Sequence, residues 1–195
     1  MRCLVLYVHP VEASFCAALR DRAVETLTVA GHEVRVIDLY GEGFQPALTR
    51  EERLSYHTPR ENERMVQTHL AHIKWAEALV FIYPTWWYGL PAMLKGWFDR
   101  VWIPHVTFTL PPDGGKIRGL MQNIVRLVVI TTAGSPWLWM VLMGSPGRAT
   151  IMRGVRALCH RRCRKRFLAH YSIDRSTPAS RAAFLDRVAS TLARL

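Results

Sequence analysis

One stretch near the middle of the chain, Ala78–Trp102, limits the fold most narrowly because it joins a buried strand, an aromatic loop and a helix. The apolar run Ala78–Tyr83 has the composition of a strand buried on both faces, and Pro84 predicts its end. Adjacent aromatic residues and Gly89, which permits close backbone approach, follow; Pro91 suits the first turn of the helix. In an open parallel sheet, loops at the carboxyl ends of strands bind ligands. The stretch therefore predicts a site for a flat ligand, with a subunit interface as the alternative use of the rings.

The rest of the chain alternates strand-like apolar runs with helical segments. Ser14 predicts a helix start between the first two runs, and this strand–helix–strand unit favours a parallel sheet. We therefore predict a single doubly wound α/β domain over residues 1–195 with a five-stranded parallel sheet. The flavodoxin-like three-layer sandwich, with the strand order 2-1-3-4-5, is one of the two common solutions and the one that we adopt. The predicted strands are Arg2–His9, His32–Tyr40, Ala78–Tyr83, Ile124–Thr132 and Phe167–Ile173, and the main predicted helices cover 14–31, 60–77, 92–102, 150–160 and 177–195.

Loops that follow the first, third and fourth strands would meet at one edge of such a sheet, because these strands are neighbours. The first loop offers a phosphate the N–H groups of a helix start, the Ser14 hydroxyl and His9, although Ser14 is also explained as a plain N-cap. The third loop offers backbone N–H donors at Ala133 and Gly134, which would stabilise negative charge on a bound ring. The chain thus predicts a cradle for a phosphate-bearing ring cofactor.

Composition excludes some classes of function and leaves others open. The net charge of +11 resides in residues 101–195, mostly in Arg148–Arg166. A solvated basic face, an anionic cofactor, nucleic acid or an anionic membrane would each fit this region, but no nucleic-acid reading motif accompanies it, so we expect no nucleic acid. The 4 cysteines lack metal-site spacing, which predicts reduced buried thiols and no metal. Since we find no signal-peptide pattern and no apolar run of membrane-spanning length, we expect a cytoplasmic protein.

The segment WWYGLPAMLKGWFDRVW, residues 86–102, resembles the signature of the NAD(P)H:quinone oxidoreductase family, the DT-diaphorase-like enzymes on a flavodoxin fold. The resemblance implies that the aromatic loop lies against a flavin, and that Trp87, Tyr88 and Trp139 also contact substrate. It implies FAD, with FMN as the alternative, because Arg181 matches a position that contacts the adenosine half of FAD. The cofactor-binding residues that it implies are His9, Ser14, Phe15, Cys16, Pro84, Thr85, Trp86, Trp87, Tyr88, Thr131, Thr132, Ala133, Gly134 and Arg181.

Several positions depart from the family pattern. Cys16 stands where family members have Asn, and Ala133 interrupts a TTGG pattern while leaving a backbone N–H available. The Tyr and His that are proposed to relay protons in animal members fall, without gaps, on Trp139 and Ser145. We therefore expect no catalytic acid or base, so that the protein would contribute positioning and electrostatics to the redox chemistry of the flavin.

The resemblance further implies the reaction and the assembly. NAD(P)H would reduce the flavin and leave, and a quinone-like acceptor would then take up two electrons, which is ping-pong turnover. A homodimer is implied, with Ile103–Gln122 and Trp137–Gly147 as candidate contacts and candidate determinants of acceptor choice. The alternatives are an azo- or nitro-compound reductase on the same site, and a flavin-binding electron carrier or regulatory protein without turnover of its own. A weak peripheral contact with an anionic membrane would be compatible with each of these.

Overall fold

The computed structural model describes residues 1–111 and 114–195, and within them five parallel strands form one sheet in the order β2-β1-β3-β4-β5. This order confirms the predicted flavodoxin-like fold. The strands are β1 (Arg2–Tyr7), β2 (Glu33–Asp38), β3 (Ala78–Thr85), β4 (Arg126–Ala133) and β5 (Arg164–His170). The helices are α1 (Phe15–Val29), α2 (Arg50–Ser55), α3 (Gln67–Trp75), α4 (Ala92–Val101), α5 (Trp137–Leu142), α6 (Pro146–Ala149), α7 (Arg156–Leu158) and α8 (Pro178–Leu192), with a π-helical segment (Thr150–Val155) between α6 and α7 and 3₁₀ turns at Arg64–Val66 and Ile173–Arg175.

Side chains that alternate along the central strands divide the core into two layers. Leu4 and Leu6 of β1 point to the face on which α3 and α4 pack. Val5 and Tyr7 point to the opposite face, where α1 and α8 pack. Because both faces of the central strands are covered, these strands are continuous apolar runs in the sequence rather than alternating ones.

Strand β3 continues through Pro84, so the prediction that this proline ends the strand is wrong. Pro84 pairs with Thr132 of β4. The Val8 N–H donates to the Ile82 carbonyl at 2.9 Å, so the backbone groups of Ile82 point to the side of β1. Residues two apart in a strand direct their backbone groups to the same neighbour, so the backbone nitrogen of Pro84 also faces the β1 side. Since β1 ends at Tyr7, the absent N–H of the proline costs no ladder hydrogen bond.

Four other predicted features need correction. The helix expected over 60–77 begins at Gln67, after a 3₁₀ turn, and Pro91 is the N-cap residue of α4 rather than a member of its first turn. The helix expected over 150–160 is π-helical as far as Val155. The last strand runs over 164–170 instead of 167–173, so the exposed cations Arg164–Arg166 lie on an edge strand, where charge opposes pairing with another sheet.

Helix α4 is anchored to the segment around α2. A Cβ on Gly96 would lie 2.1 Å from the Pro46 carbonyl oxygen, so the backbones touch there. Arg100 and Glu52, each with 8% of the side chain exposed, form a buried ion pair in which Nε donates to Oε1 at 2.7 Å. Arg100 also donates to the Gln45 carbonyl. These contacts hold the middle and the last turn of α4 against the segment around α2.

The segment between α4 and β4 is irregular, as expected, and residues 112 and 113 of the predicted rim lie outside the described residues. Isolated bridges join Phe108 to Gly119 and Met121 to Cys159. The 4 cysteines are buried and free. Within residues 1–111 and 114–195, no helix has the length and apolar character to cross a membrane, and no three His, Cys, Asp or Glu side chains cluster as a metal site would require.

Candidate functional site

The predicted loops meet at the carboxyl edge of the sheet, beside the ends of β1, β3 and β4. Cys16, in the first turn of α1, places its Sγ 3.6 Å from the Thr132 Oγ1 of β4. The His9 ring after β1 lies 6.4 Å from the Trp86 ring after β3, between centroids. The strand order therefore brings together segments that are more than 100 residues apart in the chain.

A cleft of about 470 Å³ opens at this edge, which is within the usual size of small-molecule sites. The sequence missed four of its lining residues: Ser135, Met140, Ile173 and Asp174. Ile173 and Asp174 follow β5, which ends at the same edge, so the strand order was a signal that could have found them. The full lining is Pro84, Thr85, Trp86, Trp87, Tyr88, Thr132, Ala133, Gly134, Ser135, Met140, Ile173 and Asp174.

The aromatic loop is a tight turn with two residues in the left-handed backbone region. The Gly89 N–H donates to the Trp86 carbonyl at 3.0 Å, and Trp87 and Tyr88 between them have φ values of 48° and 63°. This is the pattern of a type I′ turn, which favours Asn and Gly, and each residue with a Cβ costs about 1–2 kcal/mol there. Trp87 is 94% exposed, so its own packing does not offset the cost. Strain of this kind, held on an exposed ring, is typical of a binding site.

Helix α6, and not a ligand, is what approaches the backbone at Gly89 closely. A Cβ on Gly89 would meet nothing nearer than 3.8 Å, so its own surroundings do not demand glycine. A Cβ on Gly147 of α6, however, would lie 3.0 Å from the Gly89 carbonyl carbon and 3.2 Å from the Leu90 nitrogen. Helix α6 therefore supports the aromatic turn from behind.

Trp139 reaches the cleft through Tyr88 rather than by lining it. Its indole Nε1 donates to the Tyr88 hydroxyl oxygen at 3.0 Å. Apart from the buried Met140, the rest of α5 is also exposed, which is unusual for a helix this apolar. Its exposed large residues are Trp137, Leu138, Trp139, Val141 and Leu142, each between 46% and 62% accessible.

The loop after β4 presents backbone more than side chains to the cleft. The Thr131 Oγ1 lies 2.9 Å from the Thr85 Oγ1, so this hydroxyl bonds within the sheet. Ala133 and Gly134 are outside the left-handed region, so Ala133 is accommodated without strain and its N–H stays at the cleft wall. A Cβ on Gly134 would lie 2.7 Å from an Asp174 carboxylate oxygen, so glycine permits that carboxylate to sit close to the loop.

The loop after β1 ends in a capped helix. Ser14 is the N-cap of α1, and its hydroxyl oxygen accepts the N–H three residues later at 3.1 Å, as its interpretation as a cap predicts. The N–H groups of Phe15 and Cys16 belong to the first turn, which has no intrahelical acceptors and so can receive an anion. The His9 Nδ1 lies 3.0 Å from the Val11 nitrogen, which donates to it, so Nε2 is the ring nitrogen that faces a ligand.

Cys16 is a neutral donor at this edge. Burial raises the pKa of its thiol to about 11, and the hydrogen bond with Thr132 only partly lowers it. The thiol therefore stays protonated near neutral pH, where it would replace the amide of the family Asn with a weaker donor.

A shallower cleft of about 280 Å³ lies between the end of β5 and α8. The His170 Nδ1 in its wall is buried and has no hydrogen-bond partner within the part of the chain that the structure describes. The Phe15 ring lies edge-on 5.7 Å from the His170 ring and links this cleft to the start of α1. Arg181 is exposed on α8 and lines neither cleft, whereas Arg187, which the sequence did not single out, lines the shallow one.

The basic region Arg148–Arg166 directs several of its cations to its own backbone. Arg156 donates to the Arg161 carbonyl at 2.7 Å, and the Lys165 Nζ donates to the Met152 carbonyl at 2.9 Å. These side chains stabilise turns, and with the charged edge of β5 they favour the interpretation of the region as a solvated basic face.

Comparison with known proteins identifies the relatives of this chain. The model of a family described as having the flavodoxin-like fold matches residues 1–192. NAD(P)H dehydrogenase (quinone) 1 of Cavia porcellus is 34% identical over 151 residues, which cover 69% of this chain and 54% of that protein. The chain thus spans about half the length of the first curated relatives that it matches.

Two solved structures share the fold over the whole chain. NAD(P)H:quinone oxidoreductase from Methanothermobacter marburgensis has a TM-score of 0.82 and 28% identity, and the match covers 100% of this chain and 96% of that one. An FMN-dependent NADH-azoreductase from Bacillus anthracis, solved in complex with FMN, has a TM-score of 0.79, 17% identity and coverage of 99% and 98%. At that identity the second structure supports the fold alone.

Proposed function

The chain belongs to the flavodoxin-like family that includes the NAD(P)H:quinone oxidoreductases, and from that premise we propose that it is a flavin-dependent enzyme that passes electrons from NAD(P)H to a quinone-like acceptor. The observation that carries the proposal is the strained, exposed aromatic turn beside the 470 Å³ cleft. A chain gains nothing for its own stability by holding Trp87 in this way, whereas a flat ligand would stack on the ring.

The groups around the cleft fit a flavin. The N–H groups of Phe15 and Cys16 would receive a phosphate, the backbone of Ala133 and Gly134 would border the polar edge of the ring system, and Trp87 would cover its face. The partnerless His170 Nδ1 gives the same edge an unused polar atom. When bound, the flavin would supply the two-electron redox chemistry that the side chains of the site lack.

FAD is the proposed form of the cofactor, with FMN as the alternative. The shallow cleft beside α8 would give an adenosine moiety a place next to the start of α1, and Arg187 rather than Arg181 lines it. FMN would leave that cleft empty. Heat release of the cofactor from the purified protein, followed by chromatography against both standards, distinguishes the two forms.

The two substrates would use the cleft in turn. Its volume of about 470 Å³ leaves room for one flat molecule beside the cofactor, so NAD(P)H would depart before the acceptor enters. Trp87 and Tyr88 would then bind both molecules by stacking, and the turn would exclude water from one side of each.

Anaerobic rapid mixing tests the proposal directly. NAD(P)H without an acceptor is expected to bleach one flavin per chain, and a later pulse of 1,4-benzoquinone is expected to restore the colour. Steady-state double-reciprocal plots should be parallel, as ping-pong turnover requires. A protein that binds flavin but oxidises neither NADH nor NADPH would instead be an electron carrier or a regulatory protein.

A second candidate activity is azo- or nitro-compound reduction at the same cleft. A structure that shares the fold at 17% identity is an FMN-dependent azoreductase, which makes this activity worth measuring beside the quinone reaction. Rates with quinones, azo dyes and nitroarenes under identical conditions would rank the acceptors. The quinone proposal expects kcat/KM to be highest for a quinone.

We also propose a homodimer that covers the exposed apolar residues of α5, since exposed patches of this kind mark interaction sites. Ile117 of the predicted rim, 59% exposed, would belong to the same contact. Light scattering should give twice the chain mass of 22.4 kDa. A monomer would favour the weak contact with an anionic membrane instead, which sedimentation with phosphatidylserine vesicles measures. The buried free cysteines support a proposed cytoplasmic location, which cell fractionation tests.

A further inference from the structure

One hydrogen bond, in which the donor is known, limits where the hydroxyl hydrogen of Tyr88 can point. The Trp139 Nε1 lies 3.0 Å from the Tyr88 hydroxyl oxygen, and an indole N–H can only donate. The phenol oxygen is therefore the acceptor in this bond, and its own hydrogen must point elsewhere. No other acceptor within residues 1–111 and 114–195 receives it, and Tyr88 is part of the cleft wall. The O–H of Tyr88 is thus available to donate to solvent or to a ligand in the cleft.

The phenol is held in place from several sides. Its backbone is fixed at φ 63° by the turn that the Gly89 N–H closes on Trp86, and Gly147 presses on that turn from behind. Trp139 holds the hydroxyl itself. Such double constraint restricts a side chain to one orientation, which is what positioned proton transfer requires.

The other hydroxyls that line the cleft are poorer proton donors. Thr85 is bonded to Thr131 within the sheet, and the hydroxyls of Thr132 and Ser135 are aliphatic alcohols, which are much weaker acids than a phenol. No His, Lys or Cys side chain lines the cleft in the described part of the chain, and the carboxyl that lines it there, that of Asp174, lies close to the loop after β4 at Gly134.

We infer that Tyr88 donates the proton that completes reduction of the acceptor and that Trp139 is the residue that positions it. The inference rests on the proposed quinone reduction. A quinone that becomes a hydroquinone gains two electrons and two protons: a hydride that derives from NAD(P)H, which becomes NAD(P)⁺, supplies both electrons and one proton. The Tyr88 O–H bond breaks to supply the other proton, and water returns a proton to the half-exposed phenolate. Tyr88 would thus act where the sequence supplies no Tyr–His relay.

Two conservative variants separate the two roles. Tyr88→Phe keeps the ring and removes the proton, and Trp139→Phe keeps an aromatic ring and removes the indole N–H. Tyr40→Phe, remote from the cleft, is the matched control. Each protein is reduced anaerobically and mixed either with 1,4-benzoquinone or with ferricyanide, which takes up electrons without protons.

We expect Tyr88→Phe to react with the quinone about tenfold or more slowly, which is below the usual contribution of roughly 100-fold or more from general acid catalysis because water can partly substitute. Its reaction with ferricyanide and its reduction by NAD(P)H, which need no proton from Tyr88, should fall by much less than its reaction with the quinone. Trp139→Phe should show a smaller loss of the same kind, with a reduced solvent deuterium isotope effect on the quinone step. Tyr40→Phe should behave as the wild type.

A binding measurement without turnover complements the kinetics. Quenching of tryptophan fluorescence by 1,4-naphthoquinone in the oxidised protein should give a Kd roughly 2- to 12-fold higher for Tyr88→Phe, the loss of one neutral hydrogen bond. Equal quinone rates and equal Kd values in Tyr88→Phe and the wild type would overturn the inference and leave the proposed function intact. A wild type that reduces no quinone would overturn the proposed function, and the inference with it.

Discussion

Trp87 occupies a backbone conformation that costs free energy, and its exposed ring contributes little burial to offset that cost. With φ 48° and 94% exposure, the residue is an unfavourable choice for the stability of the chain alone. Replacement by glycine removes a cost of about 1–2 kcal/mol, while the greater freedom of glycine in the unfolded chain costs about 0.5–1 kcal/mol. Trp87→Gly should therefore stabilise the cofactor-free protein by up to about 1.5 kcal/mol, which raises its Tm by up to about 6 °C for a domain of this size.

The same substitution should weaken flavin binding. Aromatic stacking contributes about 0.5–1.5 kcal/mol beyond the buried area, so loss of the ring should raise the Kd for flavin roughly 2- to 12-fold. Thermal unfolding of the cofactor-free protein by circular dichroism and titration with FAD by fluorescence measure the two effects separately. The prediction is thus a gain in stability together with a loss of affinity.

Trp137→Gly is the matched control. Trp137 is also exposed, at 58%, but it lies in α5 with an ordinary backbone, so glycine there should destabilise by roughly 0.5 kcal/mol. If Trp87→Gly lowers the Tm as much as the control does, the turn is not strained. If flavin affinity is unchanged, the ring does not cover the flavin.

Three further predictions concern the stability of the fold, each measured by urea denaturation. Burial lowers the pKa of His69 to about 4, and its Nδ1 accepts the Trp97 indole N–H at 3.3 Å. Because the unfolded chain therefore takes up this proton first, acid should destabilise the protein by about 3 kcal/mol in total as the pH falls from 6.5 towards 4. Glu52→Gln should cost about 3–5 kcal/mol, because it leaves the buried Arg100 guanidinium without its countercharge. Gly96→Ala should cost about 3 kcal/mol or more, because its Cβ would meet a backbone carbonyl oxygen at 2.1 Å.

Each of these predictions has a control in the chain. His69→Gln should lose the larger part of the acid dependence in that pH window, and an unaltered dependence would assign it to another group. Glu51→Gln, at an exposed neighbour of Glu52, should change stability by less than about 0.5 kcal/mol. Gly154→Ala, with nothing within 4 Å of the added Cβ, should be tolerated. Equal changes in the free energy of unfolding for a variant and its control would contradict the explanation given for that variant.

The sheet order and the meeting of the loops were predictable because they depend on features that short sequence windows contain. Apolar runs marked the strands, and the Ser14 cap marked the first helix. Once the order was assumed, the positions of the cleft residues near Trp87 and Thr132 followed from parallel geometry, since carboxyl ends of parallel strands share an edge.

Other features depend on contacts between distant segments, which local patterns do not encode. Pro84 lies in a strand only because β1 ends early beside it, which a proline rule cannot anticipate. The left-handed backbone of Tyr88 is unusual for its residue type and relies on support from Gly147. The Trp139 bond to Tyr88 likewise joins residues 51 apart in the chain.

The central claim is that loops from separate parts of the chain form one flavin site at the carboxyl edge of the sheet. Titration of the cofactor-free protein with FAD and with FMN, followed by the quenching of flavin fluorescence and the shift of the visible bands, tests it most directly. The account predicts a saturable yellow complex of one flavin per chain with at least one of the two. Absence of saturable binding with both flavins would contradict it.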